Sequence, residues 1–253
     1  MQAIPKFGLL SLLAICLAQP AAAQWQNGNL AIRTNGNTFE SGDQVRVELI
    51  ALEPITESFS AEVVYVFTEV VEEKGEDDKV TQKQVERTRK REGGPQIENF
   101  GKFQSLLLDD RFHFGDASPG GWYEVRVNLF QVNSRQPIAT LRTCLFHQNA
   151  NSQEQSNAGC ELFLRTLKRV NNEAFWTFDG RFKNNARYSV LLLQGGKVVK
   201  HLVAGGYNNG PREFNLSGPE LVGAAGQTYD LLVHDHQSGS STTLAKVTIP
   251  EAQ

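Results

Sequence analysis

Residues 120–143 read GGWYEVRVNLFQVNSRQPIATLRT, and residues 226–249 read GQTYDLLVHDHQSGSSTTLAKVTI. Placed so that Tyr123 meets Tyr229, the two stretches match without a gap at an offset of 106. Gly120 meets Gly226, Val127 meets Val233, Gln131 meets Gln237, Ser134 meets Ser240 and Ala139 meets Ala245. The apolar pattern carries more weight than the identities. Tyr123, Val125, Val127 and Leu129 alternate with Glu124, Arg126 and Asn128, and Tyr229, Leu231 and Val233 alternate with Asp230, Leu232 and His234. Successive side chains of a strand point to opposite faces, so a period of two places one set of each stretch on a single face. QVNSRQP and QSGSST then read as turns into second strands, 138–146 and 244–249. Each stretch is thus predicted to be the closing hairpin of a sandwich.

The segments upstream repeat as well. LAIRT at 30–34 is like LFLRT at 162–166. Phe39 leads to Val45, Val47 and Leu49, while Phe182 leads to Tyr188, Val190 and Leu192. The second copy carries an additional NNEAFWTFDG, which predicts an extra strand. The expected architecture is all-β: two tandem immunoglobulin-like antiparallel sandwiches at 24–147 and 160–253, joined by a linker at 148–159. The entry SGDQVRVELIAL and the exit GGWYEVRVNL resemble the immunoglobulin-like modules of bacterial exported proteins, with macroglobulin-type domains the most similar. That resemblance rests on two strand motifs per domain and implies a fold without an activity.

Residues 1–23 have the form of a cleaved signal peptide. Lys6 precedes the apolar run FGLLSLLAICLA, Pro20 follows, and Ala21-Ala22-Ala23 supplies a small-residue cleavage site after Ala23. The expected location is therefore secreted or periplasmic. No later stretch is apolar for long enough to span a bilayer as a helix. Loss of Lys6 with the leader takes the formal charge from −3 to −4, which argues against a nucleic-acid partner. Two cysteines remain after that cleavage, Cys144 and Cys160, flanking the polar segment between the copies. An oxidising compartment favours their pairing, worth about 3 kcal/mol in the chain-entropy treatment of a loop this size.

The copies differ most at 69–99, a charged hairpin insertion in the first. One arm is acidic, including Glu72, Glu73, Asp77 and Asp78, and the other is basic, with Arg87, Arg89, Lys90 and Arg91. A turn near 75–78 sets acidic residues across from basic ones. Two readings follow: a solvated edge whose charges block aggregation, or an arm that meets a partner electrostatically.

Catalytic signatures are missing from the sequence: there is no G-x-S-x-G elbow, no H-E-x-x-H and no Gly-rich phosphate loop. His234 and His236 share one strand face with Cβ atoms about 7 Å apart, a spacing that suits two corners of a metal site or two exposed imidazoles. Trp122 and Trp176 are candidate sugar-stacking rings, or else core and interdomain packing. The expected function is non-enzymatic and cofactor-free: capture of a protein or cell-envelope component through sheet edges and the charged hairpin. A carbohydrate-binding module is the alternative, with a metal-dependent hydrolase at His234 and His236 behind it.

Overall fold

The computed structural model describes residues 28–74, 80–91, 94–149, 162–170, 175–181, 187–208, 213–217 and 226–249. The residues expected to form the leader, the loop at 75–79 and most of the expected linker, with Cys160, lie outside that set. The described chain is all-β. Its N-terminal half holds β1 (Leu30–Thr34), β2 (Thr38–Glu40), β3 (Gln44–Ala51), β4 (Phe59–Lys74), β5 (Val80–Lys90), β6 (Gln96–Ile97), β7 (Ser105–His113), β8 (Gly121–Gln131) and β9 (Ala139–Gln148). Its C-terminal half holds β10 (Phe163–Val170), β11 (Phe175–Arg181), β12 (Arg187–Gln194), β13 (Lys197–Asn208), β14 (Glu213–Ser217), β15 (Thr228–Asp235) and β16 (Ser240–Thr248).

Two layers enclose the N-terminal core. One is the sheet β1-β3-β7; the other is the run β9-β8-β4-β5, with β2 and β6 attached at its margins. The alternation anticipated for β8 holds: Tyr123, Val125, Val127 and Leu129, beside Val63 and Tyr65 of the adjacent β4, face Val45, Val47 and Leu49 of β3, all buried in one cluster. Burying a side chain of this size is worth about 1.5–3 kcal/mol. The C-terminal core gathers Tyr188, Val190 and Leu192 of β12, Tyr229, Leu231 and Val233 of β15, and Leu162 and Leu164 at the start of β10. NNEAFWTFDG does contribute the extra strand β11, which pairs with both β10 and β14.

Three features depart from the sequence reading. First, the equivalence of the front strands fails in the pairing. β3 lies across the core from β8, whereas β12, matched to it by sequence, hydrogen-bonds directly to β15. In its pairing β12 stands to β15 as β4 stands to β8. Alternation is common to every half-buried strand, so it cannot say which neighbour a strand takes. Second, the gapless offset breaks at the turn. The first hairpin turns over 132–138 and the second over 236–239, so Ser240 begins a strand instead of a turn. Third, the halves do not have separate sheets. β16 pairs in parallel with β9 at Ser240↔Arg142 and Ser241↔Thr143, making one hydrogen-bonded path from β10 to β5.

The turns carry the chemistry expected of them. Gly195 and Gly196 link β12 and β13 with φ of 56° and 82°, the doubly left-handed geometry of a two-residue hairpin that suits the strand twist. Among the described residues no helix is long and apolar enough to cross a membrane.

Candidate functional site

The charged insertion is a ribbon. β4 and β5 pair in unbroken register from Val64↔Lys90 to Lys74↔Val80. On its other side β4 pairs with β8 only from Phe59 to Phe67. From Thr68 onward the ribbon runs on without that neighbour, and β5 ends the hydrogen-bonded path. Charges cross the ribbon diagonally: Arg87 Nε donates to Glu69 Oε2 at 2.9 Å, and Lys90 Nζ meets Glu62 Oε2 at 2.5 Å. The first pair is exposed and the second half-buried at Glu62; pairs of the exposed kind are worth under about 1 kcal/mol.

Arg89 and Arg91 do something else. The Arg89 guanidinium lies 5.3 Å from the ring centre of Phe112, and Arg91 reaches Asp109 at 3.6 Å. Asp109 is buried and accepts the Tyr65 hydroxyl at 2.8 Å. Burial, reinforced by the nearby Asp109 carboxylate, raises the Tyr65 phenol far above its ordinary value. These two arginines close the open side of the sandwich over β7, a packing use that the charge run alone did not reveal. Glu72 is exposed on β4 beside Glu73, while Asp77 and Asp78 lie outside the described residues.

The seam between the halves is the second candidate, and the one sequence reasoning missed. Ala31, Ile50 and Leu52 on the outer face of the small sheet pack against Leu191, Leu193 and Leu232. Beside them Ser240, Ser241, Thr242 and Thr243 are all buried. Their hydroxyls accept backbone donors from the neighbouring strands. Ile32 N donates to Ser241 Oγ at 3.0 Å, Thr34 N to Thr243 Oγ1 at 3.1 Å, and Leu164 N to Thr242 Oγ1 at 3.2 Å. Asn37 Nδ2 also donates to Thr242 Oγ1 and to the Leu164 carbonyl. Hydroxyl side chains thus stand in for a strand on the edge of β1 where, among the described residues, no strand pairs with it. Arg33 completes the seam by donating to Glu48 of its own sheet at 2.9 Å and to Asp230 of the other half at 2.6 Å.

The histidine pair belongs to this seam. His234 is completely buried, contrary to the exposed imidazole expected, and its Nδ1 lies 2.9 Å from Ser241 Oγ. His236 Nε2 lies 2.7 Å from Ser189 Oγ, and the same oxygen is 2.9 Å from His201 Nε2. Gly28 leaves room for this arrangement, since a Cβ there would come within 2.7 Å of His236 Nδ1. Phe103 packs edge-on against His201 at 5.3 Å. Desolvation, with Lys102 beside one ring and Arg187 beside the other, lowers the basicity of His201 and His236. Their nitrogens are engaged by serine hydroxyls, and among the described residues no group of three or more His, Cys, Asp or Glu is placed to hold a metal ion.

Trp122 is only 7% exposed, so it offers no flat platform. It meets Phe146 at 5.1 Å and Phe163 at 4.7 Å, both edge-on, and Cys144 belongs to the same cluster. An open cleft of about 590 Å³ runs past this cluster between the halves, lined also by Asn35, Gln148 and Arg165. Trp176 lies in β11, outside the described side chains.

No family model matches the chain, and no curated protein matches it. Among solved structures it is similar to the sporulation control protein Spo0M from Bacillus subtilis, at 9% identity, 82% coverage of this chain, 78% of that chain and a TM-score of 0.30. The native conformation of E. coli alpha-2-macroglobulin matches at 6% identity over 85% of this chain and 14% of that chain, with a TM-score of 0.28. Red sea bream transglutaminase matches at 12% identity over 86% of this chain and 31% of that chain, with a TM-score of 0.19. Likenesses of this strength carry no functional argument; the two nearer in TM-score are β-rich proteins.

Proposed function

We propose that the protein is an exported, non-enzymatic binding protein that captures a protein or cell-envelope component along the outer edge of β5. In this reading the halves are sibling immunoglobulin-like sandwiches of the macroglobulin-type kind, and the leader ends at Ala23. The observation that carries the proposal is the ribbon. β4 and β5 continue past the end of the β4–β8 pairing, and among the described residues no strand lies on the outer edge of β5, which suits it to strand addition. A disulfide between Cys144 and Cys160 is part of the same reading. Its support is position: Phe163 packs in the Cys144 cluster, and the three residues back to Cys160 span at most about 10 Å of extended chain.

The test is replacement of 70–84 in the mature protein by an Asn-Gly turn, which removes the projecting ribbon and keeps Arg89 and Arg91 over β7, followed by its melting temperature and by capture of partners from the exported fraction of the source cells. Lost capture with an unchanged melting temperature supports the edge; unchanged capture refutes it. Non-reducing peptide mapping of the same material tests the disulfide.

A further inference from the structure

We infer that the segment taken up by the β5 edge is an acidic, extended peptide, an inference that rests on the edge reading above and names its partner class. The two strands of the ribbon segregate charge. Along β4 lie Glu62, Glu69, Glu72 and Glu73, with Lys74 as the one base; along β5 lie Lys83, Arg87, Arg89 and Lys90, with Glu86 as the one acid. Adjacent strands are spaced about 4.8 Å apart, so an added strand lies about 4.8 Å from β5 and about 10 Å from β4. The screening length at physiological salt is about 8 Å. The newcomer therefore feels the basic strand more strongly than the acidic strand behind it.

Alternation sharpens the match. Lys83, Arg87 and Arg89 share one face of β5, and all three are exposed. Carboxylates at every second position of an added strand meet that face directly across the pair, where opposite charges stabilise. Glu69 already holds Arg87, and Arg89 rests on Phe112, so the incoming acids extend existing contacts instead of creating a charge site from nothing. The same basic row disfavours a second copy of this chain, since two β5 edges pairing antiparallel would set cation against cation.

The experiment uses the full mature protein and three short fluorescent peptides, alternating Thr with Glu, with Gln or with Lys. The Thr–Glu peptide is expected to bind about tenfold tighter than Thr–Gln. That gap should close as salt rises from about 0.02 M to about 0.5 M, and Thr–Lys should bind weakest. K83Q/R87Q should remove the preference for Glu while the melting temperature stays unchanged; R87Q alone, retaining Lys83, should halve it. A Thr–Glu peptide methylated on alternate backbone nitrogens should not bind. Equal affinity for Glu and Gln peptides overturns the acidic preference and leaves the edge reading standing. Undiminished binding of the methylated peptide overturns strand addition. If no peptide binds while replacement of 70–84 still abolishes partner capture, this inference fails alone; if the replacement has no effect on capture, both fail.

Discussion

The hairpins β8–β9 and β15–β16 share an inner row of side chains and diverge on the outer one. Inside, Tyr123, Val125 and Val127 correspond to Tyr229, Leu231 and Val233, and both rows fill a core. Outside, Glu124 and Arg126 stand where the second hairpin has Asp230 and Leu232. Glu124 is buried yet satisfied locally: Arg126 donates to one carboxylate oxygen at 2.7 Å and Arg142 to the other at 3.0 Å. Asp230 instead takes its cation, Arg33, from the other half of the molecule. Leu232 is completely buried under Ala31, Ile50 and Leu52. At Glu124 the first hairpin supplies its own partners, whereas at Asp230 and Leu232 the second is completed by the other half.

The strongest way to break that comparison is to truncate the matching residues. Leu232→Ala should cost about 2–5 kcal/mol in urea unfolding, because a filled site is emptied at the seam. Arg126→Ala, its counterpart, should cost about 1 kcal/mol or less, since Arg142 keeps hold of Glu124. Equal losses would mean that the two outer faces are not different in kind. Next in size is Ser241→Ala, which takes an acceptor from Ile32 N–H and the partner of His234 Nδ1. A loss of about 1–3 kcal/mol is expected, restored in large part by Ser241→Thr.

The seam should also respond to acid. His201 and His236 are less basic in the fold than the ordinary value of 6.5. The unfolded chain therefore binds protons first as pH falls through about 6.5, so their contribution is complete above that value and is lost below it. Unfolding midpoints at pH 7.5 and pH 5.5 should drop further for the native protein than for H201Q/H236Q. A parallel drop in the two would exclude these rings as the cause. The smallest effect belongs to the ribbon: Arg87→Gln should shift stability by no more than about 0.5 kcal/mol, because its bond to Glu69 is exposed. A cooperative loss there would make the ribbon part of the core and not an appendage.

The inner rows were legible because burial of one strand face imposes a period of two, and Tyr123 to Leu129 and Tyr229 to Val233 obey it. The outer rows were not, because what covers a second face is chosen by tertiary packing and leaves no local period. His234 illustrates this: its spacing from His236 read as a metal corner or an exposed imidazole, but the covering strand β1 lies some two hundred residues earlier in the chain. Ser240 to Thr243 failed for a different reason. Small hydroxyl residues after a glycine are ordinary turn formers, and the same hydroxyls serve equally well as acceptors for orphaned backbone donors. Arg89 and Arg91 read as solvated charge, although a long aliphatic stem over an aromatic ring is compatible with the same sequence. For the ribbon, sequence gave the hairpin and its polarity, while its projection past β8 required the pairing register.

The row of hydroxyls on β16 has a consequence for anyone who would split the molecule. A fragment ending near residue 149 would bare Ala31, Ile50 and Leu52 to solvent, and Ile32 and Thr34 would keep amide hydrogens with only water to receive them. Such a piece should be sticky in solution, and the complementary piece equally so. Mixed together they should find one another and restore a single soluble particle.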